Sequence, residues 1–260
     1  MQPSRIEPRF VERVWGRTDL SPLFGPQEKR IGEVWFPLPG DYPLLVKFIF
    51  TSERLSVQVH PRDEYARLHE NSRGKTEMWH ILSAEPDSTI AVGFRRPVDN
   101  ATLRSAIADG SVVDLLNWIP AKADETVYTP AGTVHAIGAG IGMCEIQQNS
   151  DVTYRLYDYG RPRELHLEKG LDVLDPVPYE GRCALPVVCE HFVTEKLDLA
   201  GPQVSQLDAE HLLIPVSGAG TLAGQAFEAG QVWHVPAGAG AIALEPDGSA
   251  QILRTRSGSA

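Results

Sequence analysis

Two short runs and one turn in this chain carry the side chains that a divalent cation needs. In LSVQVH (55–60), strand residues alternate faces, so Gln58 and His60 look one way and Val57 and Val59 the other. In EMWHIL (77–82), the same alternation puts Glu77, Trp79 and Ile81 on one face and Met78, His80 and Leu82 on the opposite one. If Glu77 faces a site, His80 is turned away from it. His135 follows the Pro-Ala-Gly turn of YTPAGTVHAI (128–137). Two imidazole nitrogens, one carboxylate and one amide oxygen leave coordination positions open for water or substrate. That is the arrangement of a catalytic centre, not the closed cysteine-rich set of a structural one. The donor types admit zinc, iron or manganese. His69, His80, His166, His191, His211 and His234 fit no such pattern and are read as non-ligands.

These side chains need strands to hold them, and the chain supplies short β-type runs separated by turn residues. LLVKFIF (44–50), LSVQVH (55–60), EMWHIL (77–82), TIAVGF (89–94), TVYTPAGTVHAI (126–137), MCEIQQ (143–148) and VTYRLYDY (152–159) are of this kind. The 23 glycines and 20 prolines are spread between such runs, so the pattern reads as a sandwich or barrel and not as a βαβ array. Helical signals are confined to 61–71 and to 97–120, where Leu103, Ile107, Val113, Leu116 and Ile119 can line apolar stripes. The second reads as an insertion packed on the β-structure. The Pro- and Gly-rich LDPVPYEGRCALP (174–186) reads as a linker or crossover, and a further set of short strands occupies 211–246.

An internal repeat ties the two sets together. Aligning the Pro-Ala-Gly triplets of DETVYTPAGTVHAI (124–137) and GQVWHVPAGAGAIAL (230–244) puts Pro130 on Pro236, Gly132 on Gly238 and His135 on Ala241. The second sequence motif of cupins resembles this frame: a Gly, five residues, Pro-x-Gly, two residues, then a metal-binding His. Pro fixes one backbone angle and Gly permits the reversal, so the next strand starts with its His facing the interior. The second copy keeps the turn and lacks the His. The expected fold is therefore all-β, with two cupin-type β-barrel (jelly-roll) modules and a small helical insertion. Residues 1–180 would be the metal-binding catalytic module with its insertion near 97–118, and 181–260 a smaller degenerate module without metal ligands.

Bulk properties restrict the partners. A formal net charge of −10 argues against nucleic acid, because phosphate backbones require a basic surface. An anionic small substrate would need a local cluster of positive side chains. Three cysteines with no CxxC pair point to reduced thiols and a cytoplasmic setting. The N-terminus has no apolar signal-peptide core, and no run of about 18 apolar residues occurs, so neither export nor a membrane span is expected. Oligomeric state is not legible.

Taken together, LLVKFIF, LSVQVHPRDEYA, GKTEMWHIL and YTPAGTVHAIGAGIGMCEIQQNSDVTYRLYDYGR resemble the class I mannose-6-phosphate isomerases in their short bacterial form, and VWG (14–16) and IGEVW (31–35) match as well. The likeness is strong over roughly residues 5–170 and loose beyond. It implies one zinc per chain at Gln58, His60, Glu77 and His135, and a catalytic arginine at Arg155. It also implies roles for Lys75 of the Lys-x-Glu element, and for Glu145 and Asp151 in proton transfer. Longer members carry a His just before that lysine, proposed to help open the sugar ring; this chain has Gly74, which leaves that role unassigned.

The implied reaction, interconversion of mannose 6-phosphate and fructose 6-phosphate, moves a proton between C1 and C2. It needs a base, charge stabilisation for an enediolate and an anchor for the phosphate. Arg155 offers a permanently charged fork of donors for either anion. Two rival readings remain at this level: another metal-dependent cupin enzyme acting on a different sugar phosphate, and a non-enzymatic sugar-phosphate binding cupin.

Overall fold

The computed structural model describes residues 2–38 and 40–258. The chain is all-β; its described residues form four sheets in two cupin-type barrels with a small helical layer. A seven-stranded sheet runs in the order Arg182–Cys183, Thr126–Thr129, Glu77–Ala84, Ile141–Gln148, Leu44–Phe50, Pro26–Phe36, Arg9–Asp19. Facing it is a five-stranded sheet in the order Tyr154–Tyr157, Val57–Val59, His135–Ile137, Thr89–Phe94, Leu116–Pro120. Between them lies a core that includes Ile49, Trp79, Ile81, Ile90, Val92, Ile137 and Met143.

Leu44–Phe50 is buried at every position because its sheet is covered on both faces. Val46, Phe48 and Phe50 point away from the first barrel and pack with Phe36, Met78 and Ile146 against Phe192, Leu212, Ile214 and Leu253. Those partners belong to a six-stranded sheet of the second barrel. Alternation therefore splits this strand between two jobs: its even residues join the barrels, while Lys47 and Ile49 face the first interior. The five-stranded sheet turns Val57, Val59, Tyr154 and Leu156 outward onto helical residues such as Leu103, Ile107 and Val173.

The helices differ from expectation in two places. The 97–120 run is helical only over Asn100–Asp109 and Val112–Leu115, after which Leu116–Pro120 is a strand. Asp99 caps the first helix by accepting from the Thr102 N–H, and Gly110 ends it with φ at 84°. The remaining residues pair with Thr89–Phe94 as an edge strand. A further helix, Leu167–Val173, forms where none was expected. Gly170 hid it, yet Gly170 is what lets it dock: a Cβ there would lie 2.3 Å from Leu156 Cδ2.

In the second barrel, Leu213, Leu222, Phe227, Trp233, Ile242 and Ile252 fill the interior. The two Pro-Ala-Gly turns share their backbone, with φ at 94° for Gly132 and 75° for Gly238. They part company at the next strand, where His135 is buried and Ala241 exposed. Among the described residues no helix is long and apolar enough to cross a membrane.

Phe48→Ala is expected to cost about 3–5 kcal/mol, since it opens a cavity in the core shared by both barrels. Urea denaturation followed by tryptophan fluorescence measures this, and a loss below about 1 kcal/mol would mean that the shared core is not what holds the barrels together.

Candidate metal centre and the cavity beside it

Three of the residues singled out for a metal converge, two from the first positions of strands and His60 from just past the end of Val57–Val59. His135 opens its strand directly opposite Gln58, and Glu77 opens an interior strand of the facing sheet. One ligand atom each from His60, Glu77 and His135 lie within 4.8 Å of one another, all three residues being buried. His60 Nε2 is 3.3 Å from Glu77 Oε1, and His135 Nε2 is 4.0 Å from Glu77 Oε2.

The backbone decides which imidazole nitrogens face this point. His60 donates its Nδ1–H to the Val152 carbonyl and His135 donates its own to the Thr133 carbonyl, each at 2.9 Å. Both Nε2 atoms are thereby left as acceptors, with Lys75 Nζ 3.4 Å from that of His60 and the Gln58 amide beside that of His135. Glu77 Oε1 is buried with no aligned hydrogen-bond donor. Two acceptor nitrogens and a carboxylate turned toward one spot are the donor set of a divalent metal, which would take the place that the Lys75 ammonium and the Gln58 amide now fill beside them, so these residues fit a divalent metal. Gln58 stands beside them with its carboxamide turned: Nε2 donates to His135 Nε2 at 3.2 Å and Oε1 accepts from Ser56 Oγ at 3.3 Å. A half-turn of the amide exchanges the two atoms and presents Oε1 to the cluster. Gly132 is required at the turn before His135, because a Cβ would meet Asp175 Oδ2 at 2.5 Å on a backbone already at positive φ.

Electrostatics keep this set in the protonation state a metal requires. Burial, with the Lys75 charge adding to it, pushes His60 down to about 3, and burial lowers His135 as well, so both rings are neutral. Burial works against the ionised Glu77, but the adjacent Lys75 ammonium holds the carboxyl well below its ordinary range.

A second carboxylate, Glu145, is coupled to the first through Trp79. The Trp79 indole N–H lies 3.1 Å from both Glu77 Oε2 and Glu145 Oε2. Each carboxylate also has its own ammonium: Lys75 Nζ is 3.1 Å from Glu77 Oε1, and Lys47 Nζ is 3.4 Å from Glu145 Oε1. Lys47 sits over the Trp35 ring, 4.4 Å from its centroid. Burial, then the Glu77 charge, lifts Glu145 to about 7. Burial alone would lower Lys75, but Glu77 and Glu145 raise it above its usual value.

Beside this cluster opens a cavity of about 470 Å³, lined among others by Gln58, Lys47, Lys75, Asp151 and Arg155. Arg13, Lys47, Lys75, Arg155 and Arg163 face it against the carboxylates of Glu12, Glu33 and Asp151. A strongly acidic chain thus presents a locally cationic pocket. Arg13 is paired with Glu33, and Arg163 with the buried Asp158. Arg155 has no carboxylate within ion-pair distance among the described residues; its Nη1 donates to the Glu164 carbonyl at 2.9 Å and its Nε has no partner. Asp151 lies on the cavity wall and is exposed, whereas Glu145 is buried behind Lys47 and Trp79. His80 points away as expected, its Nδ1 3.0 Å from Thr126 Oγ1. Gly74 is enforced by packing, since a Cβ would lie 2.6 Å from the Asp63 nitrogen.

Sequence reasoning missed Lys47 and the donor role of Trp79. The signal for Lys47 was a lone charge in the middle of an otherwise apolar strand. For Trp79 it was its position two residues from Glu77 on the same face.

An all-β double barrel with a metal-competent His–Glu–His cluster under a cationic cavity defines a metal-site cupin. No family model matches the chain. It is 33% identical to mannose-6-phosphate isomerase ManA of Bacillus subtilis (strain 168) over an alignment of 303 residues, which covers 94% of this chain and 96% of that protein. It is 46% identical over 139 residues to the mannose-6-phosphate isomerase of Streptococcus mutans serotype c, covering 51% of this chain and 44% of that one. The crystal structure of the mannose 6-phosphate isomerase from Bacillus subtilis matches with a TM-score of 0.88 at 26% identity, covering 98% of this chain and 100% of that one. The chain belongs to the mannose-6-phosphate isomerase family of enzymes.

Trp79→Phe keeps a ring in the core and removes the N–H shared by the two carboxylates. Divalent-metal affinity, measured by competition with a chromogenic chelator, is expected to fall about tenfold or more. An unchanged affinity would detach the indole from the site.

Proposed function

We propose that this chain interconverts mannose 6-phosphate and fructose 6-phosphate with one zinc ion held by Gln58, His60, Glu77 and His135. The observation that carries this reading is the pair of imidazoles whose Nδ1 atoms are tied to backbone carbonyls, so that both Nε2 atoms turn their lone pairs toward Glu77 beside a cationic cavity. Bound zinc would supply Lewis acidity toward the substrate oxygens.

The chain's own residues account for the rest. The cationic wall attracts the phosphate into a pocket that the −10 net charge would otherwise disfavour. Arg155, unpaired and partly withdrawn from water, directs its donors at the oxyanion that develops on the substrate. Glu145 is taken as the proton carrier between C1 and C2, because burial has already brought its acidity near neutral, where a group can both take and return a proton; it acts from behind Lys47, the side chain between it and the cavity. Lys75 steadies the same negative charge from the opposite side, and Asp151 on the wall is the alternative carrier.

We take 1–180 as the catalytic module and 181–260 as the smaller one. Two short pairings cross that boundary: Ser4–Arg5 joins Trp233–Val235, and Arg182–Cys183 joins Thr126–Thr129. The free cysteines Cys144, Cys183 and Cys189 suit a reducing compartment, and on that ground we assign the protein to the cytoplasm.

A coupled assay on mannose 6-phosphate should show turnover that is lost on chelation and restored by zinc; turnover indifferent to chelation would end the metal-dependent reading. Arg155→Ala should lower kcat by about a hundredfold or more with zinc content unchanged, whereas near-normal activity would remove Arg155 from the chemistry. As a base Glu145 must be ionised, so kcat/KM should fall as pH drops through an apparent value at or somewhat below about 7, since a bound cation offsets the Glu77 charge. The limb should vanish in Glu145→Gln along with most of the rate. A limb that persists in that variant would shift the role to Asp151.

A further inference from the structure

Arg155 lies on Tyr154–Tyr157, the outermost strand of the five-stranded sheet, which has a strand neighbour on one side only. Its main-chain N–H and C=O on the open side would ordinarily be left to water, and an edge of this kind frays easily. A single residue closes it. The Arg155 N–H donates to His166 Nδ1 at 3.2 Å, and the His166 N–H donates to the Arg155 carbonyl at 2.7 Å. The imidazole takes the place that a neighbouring strand's carbonyl would occupy. Two residues earlier, the Glu164 carbonyl accepts from Arg155 Nη1 at 2.9 Å, so one short segment grips both the backbone and the guanidinium. That segment is itself anchored, because Leu167–Val173 starts immediately after His166 and docks Gly170 onto Leu156 and Val59.

We propose that His166 is a positioning residue: by accepting the Arg155 amide it fixes the strand edge, and through Glu164 the guanidinium, in the orientation that faces the cavity. This deepens the reading of Arg155 given above and rests on it. Because Nδ1 must accept, the ring carries its proton on Nε2. The requirement is for an acceptor at one particular atom, and that makes the claim separable from simple packing. An Asn carboxamide oxygen reaches close to the place of Nδ1, while Ala offers nothing.

The test compares His166→Ala, His166→Asn, Arg155→Ala and the His166→Ala/Arg155→Ala double variant of the zinc-loaded protein. For each, kcat and KM for mannose 6-phosphate, zinc content and hydrogen exchange of the residue 155 amide are measured. His166→Ala should exchange that amide faster and lose about tenfold to a hundredfold in kcat with KM changed less than about threefold and zinc retained. His166→Asn should recover most of both. The double variant should be no slower than Arg155→Ala alone. Equal losses in the Ala and Asn variants, an amide exchange rate untouched by His166→Ala, or a further drop in the double variant would each overturn the proposal. Near-normal turnover by Arg155→Ala would instead sink the catalytic reading of Arg155, with the exchange rate still deciding whether His166 holds its backbone.

Discussion

The constraint that organises this protein is the removal of four charged side chains from water inside one barrel. Lys47, Lys75, Glu77 and Glu145 are each no more than 5% exposed. Any one of them alone would cost several kcal/mol to bury. They are tolerable because they alternate: each carboxylate has an ammonium of its own, and a single indole N–H is shared between the two. This pairing does more than limit a penalty. It keeps Glu77 ionised and the imidazoles neutral, while Glu145, deeper and next to a like charge, is left near the point of half-ionisation. One polar network therefore produces two carboxylates of opposite character from residues of identical chemistry.

The cavity extends that logic outward. Its cations are graded by how firmly they are held: Arg163 is committed to Asp158 and Arg13 to Glu33, while the Arg155 guanidinium donates only to the Glu164 main-chain carbonyl. A guanidinium oriented by neutral groups keeps its full charge available for an anion, whereas one neutralised by a carboxylate does not. The acidic exterior and the cationic interior are compatible because fields at this range are local and screened.

Much of this was legible in the residues. The strand runs at 44–50, 77–82 and 89–94 fall on observed strands, and period-two alternation placed Gln58 with His60 and turned His80 away from Glu77. The common Pro-Ala-Gly turn was readable because positive φ at glycine leaves a sequence trace. What escaped depended on tertiary context. The strand Leu116–Pro120 competes with a helical pattern and prevails only because Thr89–Phe94 offers an edge to pair with. The helix Leu167–Val173 holds a glycine that local propensity counts against and packing requires. Lys47 passed as an accident within an apolar run, since nothing local reveals that Glu145 will stand opposite it. The role of His166 is invisible for the same reason, being a contact between residues 11 positions apart that exists only once the strand edge is exposed.

The sheet that separates the two barrels has no idle side. Along Leu44–Phe50 the residues answer alternately to the seam between modules and to the chemistry, and Glu77–Ala84 and Ile141–Gln148 are partitioned in the same way. Such a layer can absorb exchanges of one apolar residue for another, but not a change in length. A single inserted or deleted residue would turn the lysine toward the seam and a phenylalanine toward the metal, spoiling both surfaces at once. Evolution in this part of the chain is thus confined to spelling changes that keep the reading frame of the pleat, and length variation must be accommodated at the loops instead.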